Sequence, residues 1–330
     1  MSEQSPTRLN PLTHPDILSH ILRYVDQSTL STSMRVSWAF FHVAAPFLYS
    51  KLSIIPNNAD SIFRAVTIDH ITSSSITERR GSMKRNLFGL VRNLSVGCEE
   101  DCNGPKCRKW SDEIDFPSLE ILRLWINPYS TGYMDCSWLS TLSPKRKLIV
   151  RDVQYLSNGE PFNFLPCHLL RTAQKLVLTM RSFKNLRETN HRILSSSSTS
   201  PCPRHTINPD IEIVLIFWTD RPSEKWLHGS YDSPLNSYEV DNILEQITIC
   251  LLVDVRRFII CNVDKLALSD GFFRDRLEGM VRRVSSGNGV AEDQAQKILG
   301  KIEFMAFEEY LGKEEWQGEF DDDEVERYQY

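Results

Sequence analysis

Three cysteines, Cys98, Cys102 and Cys107, lie within ten positions of one another beside Gly97 and Gly104, a cluster of the kind that holds zinc. Zinc takes four deprotonated ligands at tetrahedral angles, usually as two close pairs. The spacings here are Cys-x3-Cys and Cys-x4-Cys with no fourth cysteine or histidine nearby, so the cluster reads as reduced thiols on a loop. A thiol beside a base would make a nucleophile. Cys167 adjoins His168, and Cys202 is followed at a short interval by His205, but neighbours on a strand face opposite sides and prolines flank Cys202, so neither spacing assembles a dyad. Basic groups at Arg79-Arg80, Lys84-Arg85, Lys106-Arg108-Lys109 and Lys145-Arg146-Lys147 are of a type that meets phosphate, on nucleic acid or on a phosphorylated protein, or that forms solvated turns. No phosphate loop, dinucleotide fingerprint, His-Glu-x-x-His or Gly-x-Ser-x-Gly motif is present. The chain is expected to perform no catalysis, to need no cofactor or metal, and to bind neither nucleic acid nor membrane.

The chain as a whole has the composition of an ordinary soluble globular protein. Its 330 residues, 41% hydrophobic and 25% charged, suffice for one extended domain plus a small appendage. No apolar run reaches the roughly 18 residues that cross a bilayer, and the start MSEQSPTR is polar, so an intracellular protein of cytoplasm or nucleus is expected. Eight cysteines in so long a chain do not form a compact disulfide framework, and free thiols are expected. The net charge of −5 is uneven. Residues 301–330 hold eleven Asp or Glu against three Lys or Arg, a local −8 that leaves the other 300 residues near +3.

Residues 12–53 carry more apolar surface on three short helical stretches than a segment of this length can hide within itself. Ile17, Leu18, Ile21, Leu22 and Val25 share one helical face, with Thr13 as cap, Pro15 in the first turn and Asp16 at the positive end of the dipole. A second helix carries Leu30 and Met34. A third, capped by Ser37, carries Trp38, Phe40, Phe41 and Val43 until Pro46 disturbs it. A module of about 40 residues is near the lower limit for a self-sufficient core, so one face is expected to pack inward and the other to dock. The order of residues resembles an F-box of the kind common in fungal proteins: Pro15-Asp16-Ile17-Leu18, Ile21-Leu22, Tyr24-Val25-Asp26, Gln27 to Leu30, Arg35-Val36-Ser37, and Ala44-Ala45-Pro46-Phe47-Leu48-Tyr49. The resemblance implies binding to the Skp-type adaptor of a cullin-RING ubiquitin ligase, with Leu12, Pro15, Ile17, Leu18, Leu22, Leu30, Val36 and Phe40 as the contact residues.

Beyond this module, apolar residues recur at positions n and n+2, often with another at n−3. The sets are Val91/Leu94/Val96, Leu119/Leu122/Leu124, Leu148/Val150, Leu176/Leu178, Ile213/Leu215, Phe258/Ile260 and Ile302/Phe304. Residues 119–127, ending in Asn127, resemble a leucine-rich repeat. Positions n and n+2 share one strand face and would stack between successive coils, while the intervening residues would line a concave client-binding surface. The same strands also suit an ordinary mixed α/β domain. Helices are expected over 236–251, 272–284 and 290–300, and loops over 70–85 and 195–210.

The fold class expected is α/β: a three-helix module (12–53), a linker or first capping segment (54–85), an irregular leucine-rich-repeat-like solenoid with parallel strands (86–310) and an acidic, solvated tail (311–330). The function expected is a substrate-recruiting adaptor that joins a Skp-type subunit, and through it a cullin, to a client protein. The alternative is a repeat scaffold outside any ligase whose N-terminal helices cap the solenoid.

Overall fold

The computed structural model describes residues 14–63, 83–97, 114–125, 136, 138–153, 162, 164–181, 207–218, 237–266, 270–287, 289–313 and 316–329. Three helices open the fold: α1 (Pro15–Leu22), α2 (Gln27–Ser33) and α3 (Trp38–Tyr49). Both α1 and α2 pack against α3. The helix α3 passes through Pro46, which was expected to disturb it. The proline is exposed, and the residues beyond it, Phe47 and Leu48, pack against the module core, which offsets the backbone hydrogen bond that proline forfeits.

Eight strands follow: β1 (Lys51–Ile54), β2 (Asn93–Gly97), β3 (Ile121–Trp125), β4 (Lys147–Val153), β5 (Lys175–Arg181), β6 (Glu212–Trp218), β7 (Arg257–Cys261) and β8 (Ile302–Met305). They form one sheet, parallel throughout, in which spatial order equals chain order. Every connection is thus a crossover to the next neighbour, as parallel pairing demands. The strands of the seven apolar sets lie where the pattern places them, and their register follows it. One row runs Leu52, Leu94, Leu122, Leu148, Leu176, Ile213, Phe258, Ile302, and a second runs Ile54, Val96, Leu124, Val150, Leu178, Leu215, Ile260, Phe304. The n−3 residues Val91 and Leu119 are fully buried beside them. Strand β1 was not anticipated. Residues 51–54, assigned from sequence to the end of the helical module and the start of a linker, are the first edge of the sheet, and Ser50 O accepts from Arg92 N (3.0 Å) and Asn93 N (2.9 Å) to bring β2 alongside.

Both rows face the larger core, which is closed by α4 (Pro56–Phe63), α5 (83–88), α6 (Cys167–Thr172), α7 (Ser237–Leu251) and α8 (Asp270–Gly287). Of the expected face of α7, Ile243, Leu244, Ile247 and Leu251 are buried. Helix α9 (Glu292–Leu299) stops at Gly300 as expected, and Gly287 is the last residue of α8.

The opposite sheet face is covered too, by α10 (Phe307–Leu311), the turn at 316–320 and α11 (Asp322–Gln329). A second core forms there from Ile121, Ile149, Val177, Val214, Ile216, Trp218, Ile259 and Cys261 below and Phe307, Tyr310, Phe320 and Tyr328 above. Residues 311–330 were expected to be an acidic, solvated tail; instead residues 316–329 pack on this face of the sheet.

Because each row residue contacts its equivalents on both flanking strands, truncation in the middle is felt on two sides. Leu176→Ala, fully buried on β5, is expected to cost about 2–5 kcal/mol. Ile302→Ala, partly buried on the edge strand β8, is expected to cost distinctly less, as read from denaturant midpoints of the two variants.

Candidate functional site

The helical module is built around Leu22, Leu30 and Ala44, with Val25, Met34, Phe40, Val43, Phe47 and Leu48 packed on them. Asp26 caps α2, accepting from Thr29 N at 2.9 Å, and Ser37 Oγ caps α3, accepting from Phe40 N at 3.3 Å. The N-cap of α1 is His14, which makes no side-chain cap bond; Thr13, the expected cap, and Leu12 lie outside the described residues. Of the expected contact residues, Pro15, Ile17 and Val36 are exposed and Phe40 is half-buried. Leu18, Leu22 and Leu30 are not on the surface. All three are about 95% or more buried, because the stripe of α1 that carries Leu18 and Leu22 is the one turned inward. Leu22 and Leu30 belong to the module core, and none of the three can be gripped by a partner in this conformation.

The apolar residues left outside are Ile17, Ile21, Tyr24, Val36 and Trp38, the last 66% exposed. Ile21 and Tyr24 follow Ile17 at one-turn spacings, so they continue its stripe. Trp38 stacks on Phe41, ring centroids 5.1 Å apart, and meets His42 edge-on. Ile21, Tyr24 and Trp38, exposed in the structure, were not among the expected contact residues. For Ile21 and Tyr24 the signal was present in the spacing from Ile17, but adjacent apolar pairs at 17–18 and 21–22 do not say which of the two stripes turns inward.

The second site lies under the C-terminal segment. Four cations on strands β3 to β5, Arg123, Lys147, Arg151 and Lys175, point to this face and are buried. Glu319, wholly buried, lies 2.8 Å from Lys147 Nζ and 2.9 Å from Lys175 Nζ and accepts from the Tyr310 hydroxyl. Lys175 also approaches Glu212 at 3.4 Å and stands 4.9 Å over the Tyr310 ring. Arg123 donates to Asp321 (2.8 Å) and twice to the carbonyl of Gly318 (3.2 and 2.7 Å). Arg151 donates to the Glu324 carboxylate and lies 4.4 Å over the Trp125 ring. Glu324 accepts in addition from Asp321 N (2.9 Å), closing the first turn of α11. Gly318 is required here: its φ is +78°, and a Cβ would come within 2.9 Å of Ile121 Cδ1. Buried Asn262, at φ +60°, ties both ends of the segment to the sheet, accepting from Phe307 N (3.0 Å) and donating to Tyr328 O (3.1 Å).

Burial is the largest single influence on these groups. It pulls the Lys147 ammonium and the Arg151 guanidinium below their ordinary ranges despite Glu319 and Glu324, and it pushes the Glu324 carboxyl up despite Arg151. Asp321 differs: burial raises it, but the Arg123 hydrogen bond and the charges of Arg123, Arg151 and Lys51 together outweigh that and hold it low. Burial first, then the adjacent Glu319 and Glu324 respectively, keeps the Tyr310 and Tyr328 hydroxyls protonated.

The other candidates resolve as follows. Cys98, Cys102, Cys107, Cys202, His205, Asn127 and the basic residues 79–80 and 106–109 lie outside the described residues. Cys167 is disulfide-bonded, so it is not a nucleophile beside His168, and this departs from the expectation of free thiols that Cys136, Cys250 and Cys261 meet. In the run Lys145-Arg146-Lys147, Lys145 donates to Pro117 O and Arg146 pairs with Glu120, but Lys147 belongs to the buried layer and not to a solvated turn. Among the described residues no group of three His, Cys, Asp or Glu is placed to hold a metal, and no helix is long and apolar enough to cross a membrane. No protein-family model, curated protein or solved structure matches this chain.

Glu319→Ala leaves two buried ammonium groups facing a void and is expected to cost about 3–5 kcal/mol. Asp321→Ala, removing a carboxylate 58% exposed, is expected to cost much less in the same unfolding assay. The two shifted carboxyls also act in opposite directions with pH. The depressed Asp321 supplies stability above its unfolded pKa that is lost as pH falls through the folded value, whereas the penalty on charged Glu324 is relieved as pH falls from its raised folded value toward the unfolded one. Between neutral pH and pH ~3, Asp321→Asn is therefore expected to flatten the loss of stability and Glu324→Gln to steepen it.

Proposed function

We propose that this chain is a non-catalytic, substrate-recruiting adaptor of F-box type, in which α1 and α3 dock a Skp-type subunit of a cullin-RING ubiquitin ligase and a divergent leucine-rich-repeat-like solenoid holds the client. One observation carries the reading: of the eight large hydrophobic side chains left exposed among the described residues, five (Ile17, Ile21, Tyr24, Val36 and Trp38) crowd into the small N-terminal module. Single exposed apolar residues need no explanation, whereas a concentration on one module marks a docking face. The resemblance of the residue order from Pro15 to Tyr49 to an F-box supports a Skp-type partner, and the in-order parallel sheet with its two stacked apolar rows supports the solenoid. The chain would contribute proximity. Tethering an acceptor lysine near a charged ubiquitin carrier raises its effective concentration to the order of millimolar.

A second reading is favoured by the junction of α3 with β1, where Ser50 O takes hydrogen bonds from Arg92 N and Asn93 N: the helices would close the first edge of a repeat scaffold that serves no ligase. Removal of residues 1–49 separates the two, since a cap takes the cooperative melting transition of the remainder with it and an adaptor module does not.

The direct test uses exposed residues only. In the full-length chain, Ile17→Glu with Ile21→Glu is expected to leave the melting transition in place and to weaken capture by a purified Skp-type subunit at least about tenfold, since the exposed part of each side chain stands to bury roughly 0.6–1.4 kcal/mol of apolar surface. Undiminished capture would refute the assigned face.

A further inference from the structure

We propose that the sheet face bearing Arg123, Lys147, Arg151 and Lys175 is a docking surface for an acidic, aromatic-containing polypeptide segment of another protein, and that residues 316–329 occupy it in cis as a displaceable strap. The inference goes beyond the adaptor reading and stands whether or not the helical module binds a Skp-type subunit.

Stability alone does not call for this arrangement. Replacing a buried ion pair by packed hydrophobic residues is commonly neutral or stabilising, and the middle of this same face already uses Ile149, Val177, Val214 and Ile259. Yet four cations converge on three neighbouring strands, and three of the acids that answer them, Glu319, Asp321 and Glu324, come from a single short stretch at the far end of the chain. The strands supply Glu212, which lies against Lys175 and Arg257, and Glu303, which pairs with Arg257. Without the strap the face is cationic and lined by Trp125, Trp218 and Tyr310. It is complementary to any segment that offers carboxylates spaced as here and aromatic rings where Phe320 and Tyr328 sit.

The cis occupant also fits imperfectly. Arg151 is about 99% buried, yet its Nε and Nη1 donors have no hydrogen-bond partner among the described residues. The contact of Lys175 Nζ with Glu319 Oε1 is an ion pair without hydrogen-bond geometry. A buried guanidinium with idle donors is costly. A trans segment whose carboxylate reaches the Nε edge of Arg151 in the bidentate manner would satisfy the Nε donor that the strap leaves unused.

The test uses full-length protein and, as probe, a fluorescein-labelled synthetic peptide copying residues 316–329. Wild type, with its strap in place, is compared with the isosteric variant Glu319→Gln/Asp321→Asn/Glu324→Gln, which weakens the strap and leaves the cations intact. By fluorescence anisotropy the variant is expected to bind the probe at least about tenfold more tightly than wild type, with affinity falling as salt rises. A probe carrying the same three amide replacements is expected not to bind. Equal affinity of the two proteins for the acidic probe, or binding indifferent to salt, overturns the proposal. If the triple variant no longer melts cooperatively, Asp321→Asn alone decides by the same titration, tighter binding than wild type supporting the proposal and equal binding overturning it. A wild-type dimer that the peptide dissociates would assign the face to the strap of a second copy and overturn it as well.

Discussion

A parallel sheet whose strands lie in chain order has one requirement that every connection must meet: the same two strand positions must be apolar each time the chain returns. Leu52 to Ile302 and Ile54 to Phe304 form the resulting rows, in register across all seven strand pairs. A one-residue slip of β3, β4 or β5 would turn Arg123, Lys147, Arg151 or Lys175 into the larger core. The irregular spacing between strands is therefore harmless. Crossovers of different length are accommodated on the outside, where α7 and α8 add apolar surface over the later strands.

The face that this register leaves over is where the molecule is unusual. Its middle is apolar and its flank is cationic, and a parallel sheet is rarely left bare on either side. The C-terminal segment resolves both demands together. Its aromatics, Phe307, Tyr310, Phe320 and Tyr328, cover the apolar centre, and its acids neutralise the cations before they are sealed from water. The layer is held at a cost, because Arg151, Lys147 and Glu324 are each drawn toward their uncharged forms by burial. The two components of the layer answer each other only in part, since Nε and Nη1 of Arg151 have no hydrogen-bond partner among the described residues.

The N-terminal module is organised differently. Its core is small, its helices are held by Asp26 and Ser37 caps, and its apolar surplus stays outside on Ile17, Ile21, Tyr24, Val36 and Trp38. The two ends of the chain thus present opposite situations: apolar surface without a cover at the start, and a charged face with its own cover at the end.

Much of this was legible in the chain. The n, n+2 spacing located β2 to β8, and the periodicity of residues 237–251 located a helix and its buried side, because strand and helix periods are local properties that a short window displays. Strand β1 escaped because Lys51–Ile54 follows directly on a helix and exposes half its residues. Tertiary structure alone decided which stripe of α1 turns inward, since Leu18 and Leu22 differ from Ile17 and Ile21 in no local respect and only the position of α3 distinguishes them. It alone decided, too, that residues 316–329 lie on the sheet. Local composition marks an acidic run as solvated, whereas Glu319 meets Lys147 and Lys175 through contacts that span more than 140 positions, and no local rule encodes a partner that distant.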